Sequence, residues 1–422
     1  MIVWACCYPV TGRVFAQQPP VEPGHRQNEK KPVAPPPAKT DLTGTSKDAN
    51  SILGPPALPP PTPLPDLLAK AAQFVKNQNV LDAVKAYREA IAVYPQAYQP
   101  YDRLARLTFG TKNYDEAIDA ARKATQLNTT NQSELVQEYS ILANALTERG
   151  RYTEARTAVD HTIALVPTDV DARLMRGEID MRAKDYPAAE TDFLAGLGLS
   201  PDNFRVHSGL GDVYEQENRH GSALDEYQAA IRALKGSSIQ DTDLSSQLTL
   251  SEATALAGLK RYAEAEAEVR SQLARAPDNP GILGVLAQVL DTEGKHDAAI
   301  SEYKLALAKS ADDAILWGNL GWAEYNGAQF DAAEQSSRKA LALDPKQVYV
   351  RFNLGLIFAV RNRWSEAAKE YQAAVTSAAE PDIRAAINDV RDALDKGFAM
   401  PALHQALDFL ATADHKALGY SD

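Results

Sequence analysis

The sequence predicts an all-helical solenoid of nine helix-turn-helix hairpins, and three observations in phase with one another predict it. Alanine stands at 83, 117, 155, 189, 223, 265, 299, 333 and 367; six of the eight steps are 34 residues, and the other two, 38 and 42, are 34 plus a short insertion. With that alanine set at position 20 of each repeat, position 8 reads Ala71, Ala105, Ala143, Gly177, Gly211, Ala253, Ala287, Gly321 and Gly355, small in every copy. Position 17 carries a ring in eight of the nine copies, from Tyr114 to Trp364, and position 32 is proline in five. A period of this length is one helical hairpin, which cannot bury its apolar face alone and is stable only when stacked on its neighbours.

The elements follow in order. Residues 1 to 16 open on an apolar run and end Val14-Phe15-Ala16, and are read as a secretory leader of an exported bacterial protein, secreted or periplasmic, with a cytoplasmic chain as the alternative. Residues 17 to 63 are a proline-rich, disordered linker: 14 of the 25 prolines fall between Gln17 and Pro65 with almost no periodic apolar pattern, so little surface is available to offset the entropy of ordering. The array occupies 64 to 379. Small residues at positions 8 and 20 let the paired helices approach closely, the ring at 17 fills the next gap, and proline at 32 ends the second helix. The extra residues at 128–133 and 236–243 are polar and turn-rich, and are expected in the links between hairpins. Residues 380 to 422 form a cap and tail: Ile383, Ile387, Val390 and Leu394 make one helical stripe, and a second helix starts at Pro401, buried through Leu403, Leu407 and Leu410.

Composition narrows the function. A net charge of -12 leaves no basic surface for nucleic acid. No segment is long and apolar enough to span a membrane, and the only cysteines are the adjacent Cys6 and Cys7. The seven histidines are scattered, and His207, His220 and His296 occupy repeat positions, which reads as packing. Asp169-Val-Asp171 and Asp241-Thr-Asp243 read as helix caps or solvated faces rather than a metal site. Gly196-Leu-Gly198 and Gly209-Leu-Gly211 have no preceding strand to build a phosphate loop. No nucleophile-base pair is present, so the chain is read as a non-enzyme without cofactor or metal.

The segments WGNLGWAEYNGAQFDAAEQSSRKALALDP, 317 to 345, and RFNLGLIFAVRNRWSEAAKEYQAAV, 351 to 375, resemble the tetratricopeptide repeat, with departures at Arg351 in position 4 and Ala379 in position 32. The resemblance covers 64 to 379 and implies a right-handed superhelix whose first helices line a groove that binds peptides or proteins. The family's clamp for C-terminal carboxylates needs lysine at position 5, and none of the nine copies has it. The repeat half of enzymes that attach glucosamine to proteins is also similar, but no matching catalytic half lies in the 43 residues after Ala379. The expected function is therefore a scaffold that holds a protein or peptide partner. The alternatives are an accessory subunit of an enzyme complex, such as a glycosyltransferase or envelope-assembly machinery, and a structural spacer.

On a helical wheel, positions 2, 5, 6, 9, 12 and 13 lie opposite the packed side and are expected to face the groove. In repeats 4 and 5 that set is polar. In repeats 8 and 9 it is apolar and amide-bearing: Asn319, Trp322, Tyr325, Tyr349, Phe352, Asn353 and Leu356. Two asparagines one repeat apart suit the backbone of an extended peptide, and a cluster of rings is more apolar area than a surface normally leaves exposed. A tail from Phe398 to Tyr420 folded over those rings is the competing reading. Replacing Ala189 or Ala333 by leucine is expected to overpack the hairpin by about 1 to 3 kcal/mol, read as a lower urea midpoint.

Overall fold

The computed structural model describes residues 62–237, 239 and 242–417; the leader, nearly all of the linker, Asp241 and the end of the tail lie outside the described residues. Two compact units emerge. In the first, α1 (Leu64–Lys76) and α2 (Val80–Val93) form one hairpin in which Ala71 and Ala83 are fully buried.

The second unit begins at Gln96 and is a continuous stack of hairpins. They are α3 (Tyr98–Gly110) with α4 (Tyr114–Leu127), α5 (Gln132–Glu148) with α6 (Tyr152–Leu165), and α7 (Val170–Arg182) with α8 (Tyr186–Leu199). Next come α9 (Phe204–Gln216) with α10 (His220–Gly236), α11 (Thr242–Gly258) with α12 (Tyr262–Arg275), and α13 (Pro280–Glu293) with α14 (His296–Lys309). The stack ends with α15 (Ala314–Asn326) and α16 (Phe330–Leu343), α17 (Val348–Val360) and α18 (Trp364–Val375), and α19 (Glu380–Asp395) and α20 (Pro401–Ala417). In this unit each first helix packs on its hairpin partner, the first helices from α5 to α17 pack also on the second helix of the hairpin before, and α3 to α9 and α11 to α19 meet first helix to first helix. Among the described residues there is no strand.

The close approach inferred from position 8 has a definite partner, the side chain at position 24. A Cβ placed on Gly177 would lie 2.6 Å from the Phe193 ring; on Gly211 it would lie 2.7 Å from Tyr227, and on Gly355 2.7 Å from Tyr371. In these three copies the ring occupies the space that a methyl group would need. Gly321 faces Ser337, whose Oγ would be 2.7 Å from an added Cβ. Asp and Asn before the first helices supply caps: Asp169, Asn203, Asn279 and Asp313 each accept a hydrogen bond from a backbone N–H of the turn they precede.

Every one of the nine hairpin turns places position 15 in the left-handed region. Gln78, Lys112, Lys184, Asn218, Lys260, Ala328 and Asn362 have φ between 57° and 62°, and Gly150 and Gly294 take the same place. The next residue then donates back into the helix, as Asn79 N–H does to Phe74 O (2.9 Å) and Arg363 N–H to Phe358 O (2.8 Å). Gly397 (φ 89°) and Phe398, whose N–H donates to Ala393 O at 3.2 Å, repeat this turn between α19 and α20, and Ala402 is fully buried like the position-20 alanines. The C-terminal cap is thus built as a further copy of the hairpin.

The insertions are not where the sequence suggested. The link before α5 runs from 128 to 131, no longer than its counterparts, and the four extra residues become an additional first turn of α5, which has 17 residues where most first helices have 13. The larger insertion lengthens α10 and α11 to 17 residues each. Asn131 explains the first case: its side chain accepts from Glu134 N at 3.1 Å and so caps a turn rich in helix-forming residues.

One ion pair spans the stack. Lys184, in the turn between α7 and α8, meets Asp382 at the start of α19, and that carboxylate is only 2% exposed. Asp382 also accepts the Ala379 N–H at 3.0 Å.

Glu138 of α5 is a buried carboxyl at 1% exposure. Its Oε1 accepts from Asn128 Nδ2 at 3.2 Å, and Oε2 finds no partner among the described residues. Burial pushes its pKa up to about 7.

Two outcomes follow from these contacts. Gly211→Ala should destabilise the stack by about 1 to 3 kcal/mol despite alanine's higher helix propensity, because the added methyl meets the Tyr227 ring, and urea unfolding checks it. The unfolded chain releases the Glu138 proton at an ordinary glutamate pKa and the folded chain holds it to about 7, so stability falls as pH rises between the two values. Glu138→Gln is therefore expected to be more stable than the parent at about pH 8, by at most about 3 kcal/mol, with the advantage vanishing below about pH 4.5, as thermal melts across pH will show.

Candidate functional site

The first helices α13, α15, α17 and α19 lie side by side in the stack, and together with the start of α14 they enclose a pocket of about 310 Å³. From α13 come Gln288, Asp291, Thr292 and Glu293; from α15, Asn319, Trp322 and Asn326; from α17, Tyr349 and Asn353; from α19, Asp389, Asp392 and Lys396. His296 and Tyr303 of α14 complete the lining.

Four of the seven residues expected from the sequence, Asn319, Trp322, Tyr349 and Asn353, are brought together here. Three are not: Tyr325, Phe352 and Leu356 are 5%, 4% and 2% exposed and belong to the core. The wheel fails for a physical reason. It describes one helix in isolation and takes no account of how far a ring reaches, so the large side chains Phe352 and Tyr325 at positions 5 and 12 still pack against the hairpin partner. Phe352 lies with its ring 6.3 Å from that of Tyr371 on α18, and Tyr325 stacks on Trp322 at 5.2 Å and tilts against Phe330 at 5.9 Å. Leu356, although at position 9 like Trp322, falls under α19 and α20, which pack on α17.

The C-terminal segment therefore covers some rings and spares others. Phe398 meets Phe330 edge-on at 5.9 Å, and Phe409 lies 6.3 Å from Trp364 and 6.4 Å from Tyr371. Trp322 and Tyr349 stay half-buried at the pocket. Gly318, at position 5, makes room for the latter: a Cβ there would sit 2.7 Å from Tyr349 Oη.

The pocket is polar and acidic in ways the sequence reading missed. Asp291 accepts from Asn326 Nδ2 at 2.9 Å and lies 2.7 Å from His296 Nδ1. Asp392 pairs with Lys396 at 2.7 Å, one helical turn on. Burial, with the Asp392 charge adding, raises the Asp389 carboxyl to about 7. Burial also raises the Tyr325 hydroxyl, and the two α19 aspartates reinforce that shift. Asn353 is only 7% exposed, yet lines the pocket. Gln288 is equally buried, and its Nε2 has no partner among the described residues.

The polar face of repeats 4 and 5 is engaged internally. Arg205 bridges to Asp171 at 3.2 Å, and Tyr227 Oη donates to Asp212 at 2.8 Å. His207, His220 and His296 each meet a carboxylate, of Glu226, Glu215 and Asp291, within 3.0 Å. Among the described residues no group of three or more metal-ligating side chains converges, and no helix is long and apolar enough to cross a membrane.

Stacked hairpins with this turn, this packing and a pocket on their first helices define a tetratricopeptide-type solenoid. The tetratricopeptide repeat family model matches residues 68–131, 142–204, 174–238, 250–314 and 319–382, well over half of the chain, and the chain belongs to that family. It is similar to a solved tetratricopeptide repeat protein from Parabacteroides merdae, with a TM-score of 0.50 at 14% identity over 70% of this chain and 98% of that one, which bears on the fold alone. Among curated proteins it is 27% identical over 222 residues to a peroxisomal targeting signal receptor of Candida albicans, covering 52% of this chain and 37% of that protein. It is 24% identical over 166 residues to the Hsp70-Hsp90 organising protein of Plasmodium falciparum, covering 39% and 28%. The chain thus spans well under half the length of these two relatives.

Proposed function

We propose that the chain is a non-catalytic scaffold that holds an extended segment of a partner protein across the first helices of its last hairpins. One observation carries this reading: Gln288 is more than nine-tenths buried, faces a pocket that the equally buried Asn353 also lines, and its Nε2 has no hydrogen-bond partner among the described residues. An amide in that position costs free energy unless something pairs with it, and the N–H and C=O of an extended backbone are the natural complement. Trp322 supports the same reading. Its ring stacks on Tyr325 on one side and remains half-exposed at the pocket, a rigid apolar platform of the kind that anchors interfaces. The family relation fits a role in protein association, since the relatives include a targeting signal receptor and an organising protein.

Short peptides selected by the full chain from a displayed random library provide the test. Trp322→Ala and Asn353→Ala are expected to weaken a selected peptide by about 2 kcal/mol, roughly thirtyfold, in fluorescence anisotropy, with helical content and melting temperature retained. Unchanged affinity in both variants would remove the pocket from the binding surface.

A further inference from the structure

The pocket has an electrostatic character that the groove reading does not use. Four carboxylates line it, Asp291, Glu293, Asp389 and Asp392, against a single lysine, Lys396, and His296. Three of the four are already engaged: Asp291 with His296 and Asn326, Glu293 with Lys295 at 2.9 Å, Asp392 with Lys396. Asp389 alone has neither an ion pair nor a hydrogen bond from a described residue. Lys396 makes no ion pair with it and favours its ionised form only from a distance, being held one turn further along α19 by Asp392.

Acidity alone would not make a site, but two amides point the same way. Asn353 and Gln288 are each 7% exposed and line the pocket from α17 and α13, and Gln288 Nε2 has no hydrogen-bond partner among the described residues. Buried donors without partners are costly in the free protein and favourable once a ligand pairs with them. The half-exposed Trp322 ring adds a surface on which an aliphatic stem can lie and toward which a cation is drawn. A volume of about 310 Å³ is at the lower end for a ligand pocket, sized for one long side chain and the backbone beside it.

Resting on the groove reading above, we propose that this pocket selects a lysine or arginine side chain of the bound segment, seating its cation at Asp389 and Asp392 while Asn353 and Gln288 hold the adjoining backbone. The α19 hairpin then belongs to the recognition surface as well as ending the stack. An acidic segment is excluded by the same carboxylates, since like charges brought together in a water-poor pocket repel strongly. The ionised form that burial disfavours at Asp389, raised to about 7, is the form a ligand cation restores.

The displayed random library is again the probe, now read by composition. The full chain and an Asp395→Asn control, altered at an exposed residue of the same helix outside the pocket, are expected to enrich lysine or arginine at one position of the bound peptides. The Asp389→Asn/Asp392→Asn double variant is expected to lose that enrichment. For one selected peptide, replacing its basic residue by norleucine should weaken binding to the parent by about tenfold or more and to the double variant by less than about twofold. If the double variant loses helical content, Asp389→Asn alone, a near-isosteric change, carries the same comparison. Bound peptides without a basic preference, or a preference that survives in the variants, would overturn the proposal and leave the groove reading standing. Failure to select any peptide would overturn both.

Discussion

Close approach between the two helices of each hairpin is the constraint on which the structure depends. Position 8 can hold only glycine or alanine because position 24 of the partner helix projects onto it, and where that residue is Phe193, Tyr227 or Tyr371 even a methyl group would collide with the ring. The largest fully buried side chains of the chain include these three. Small and large residues are thus complementary halves of a single contact, repeated along the stack, and each hairpin leaves the flank of its first helix to be covered by the next. This arrangement sets the first helices in a row and creates a surface that no single hairpin possesses.

Much of this was legible in the sequence because it repeats. Nine alanines in phase establish the hairpin length, and the small residue at position 8 recurs without exception. The left-handed residue at position 15 was not legible, although it is as regular in space. Glutamine, lysine, asparagine, alanine and glycine all serve there, since the geometry is imposed by the helices on either side and by the hydrogen bonds that close the turn. The insertions were misplaced for a related reason. Polar residues such as those at 128–133 read as a loop, but Asn131 caps a turn that the following residues extend, and helix propensity outweighed the polar composition.

The site was legible in part. Asn319, Trp322, Tyr349 and Asn353 line the pocket, in keeping with helical positions away from the hairpin partner, whereas Tyr325, Phe352 and Leu356 lie in the core, because that periodicity takes no account of rings reaching the partner helix or of α19 and α20 packing on α17. Asp389 and Asp392 escaped notice because the last hairpin departs from the repeat pattern in sequence while keeping its turn and its buried alanine, Ala402, in structure. Gln288 and Asp291 were missed differently: each sits at a groove position of its own repeat, and only the stacking of four helices brings it to one pocket with residues far along the chain, as Asp291 with Asp392.

The contact between Lys184 and Asp382 gives the stack a mechanical property that its local packing lacks. A solenoid joined only between neighbours behaves as an open spring, each coil free to add its own small flexion. Fastening the fourth coil to the last makes the intervening run a closed loop, in which a flexion at one coil must be taken up by the others. The aperture between α13 and α19 is then governed in part from outside it, by a lysine of the α7–α8 turn that fastens onto the start of α19.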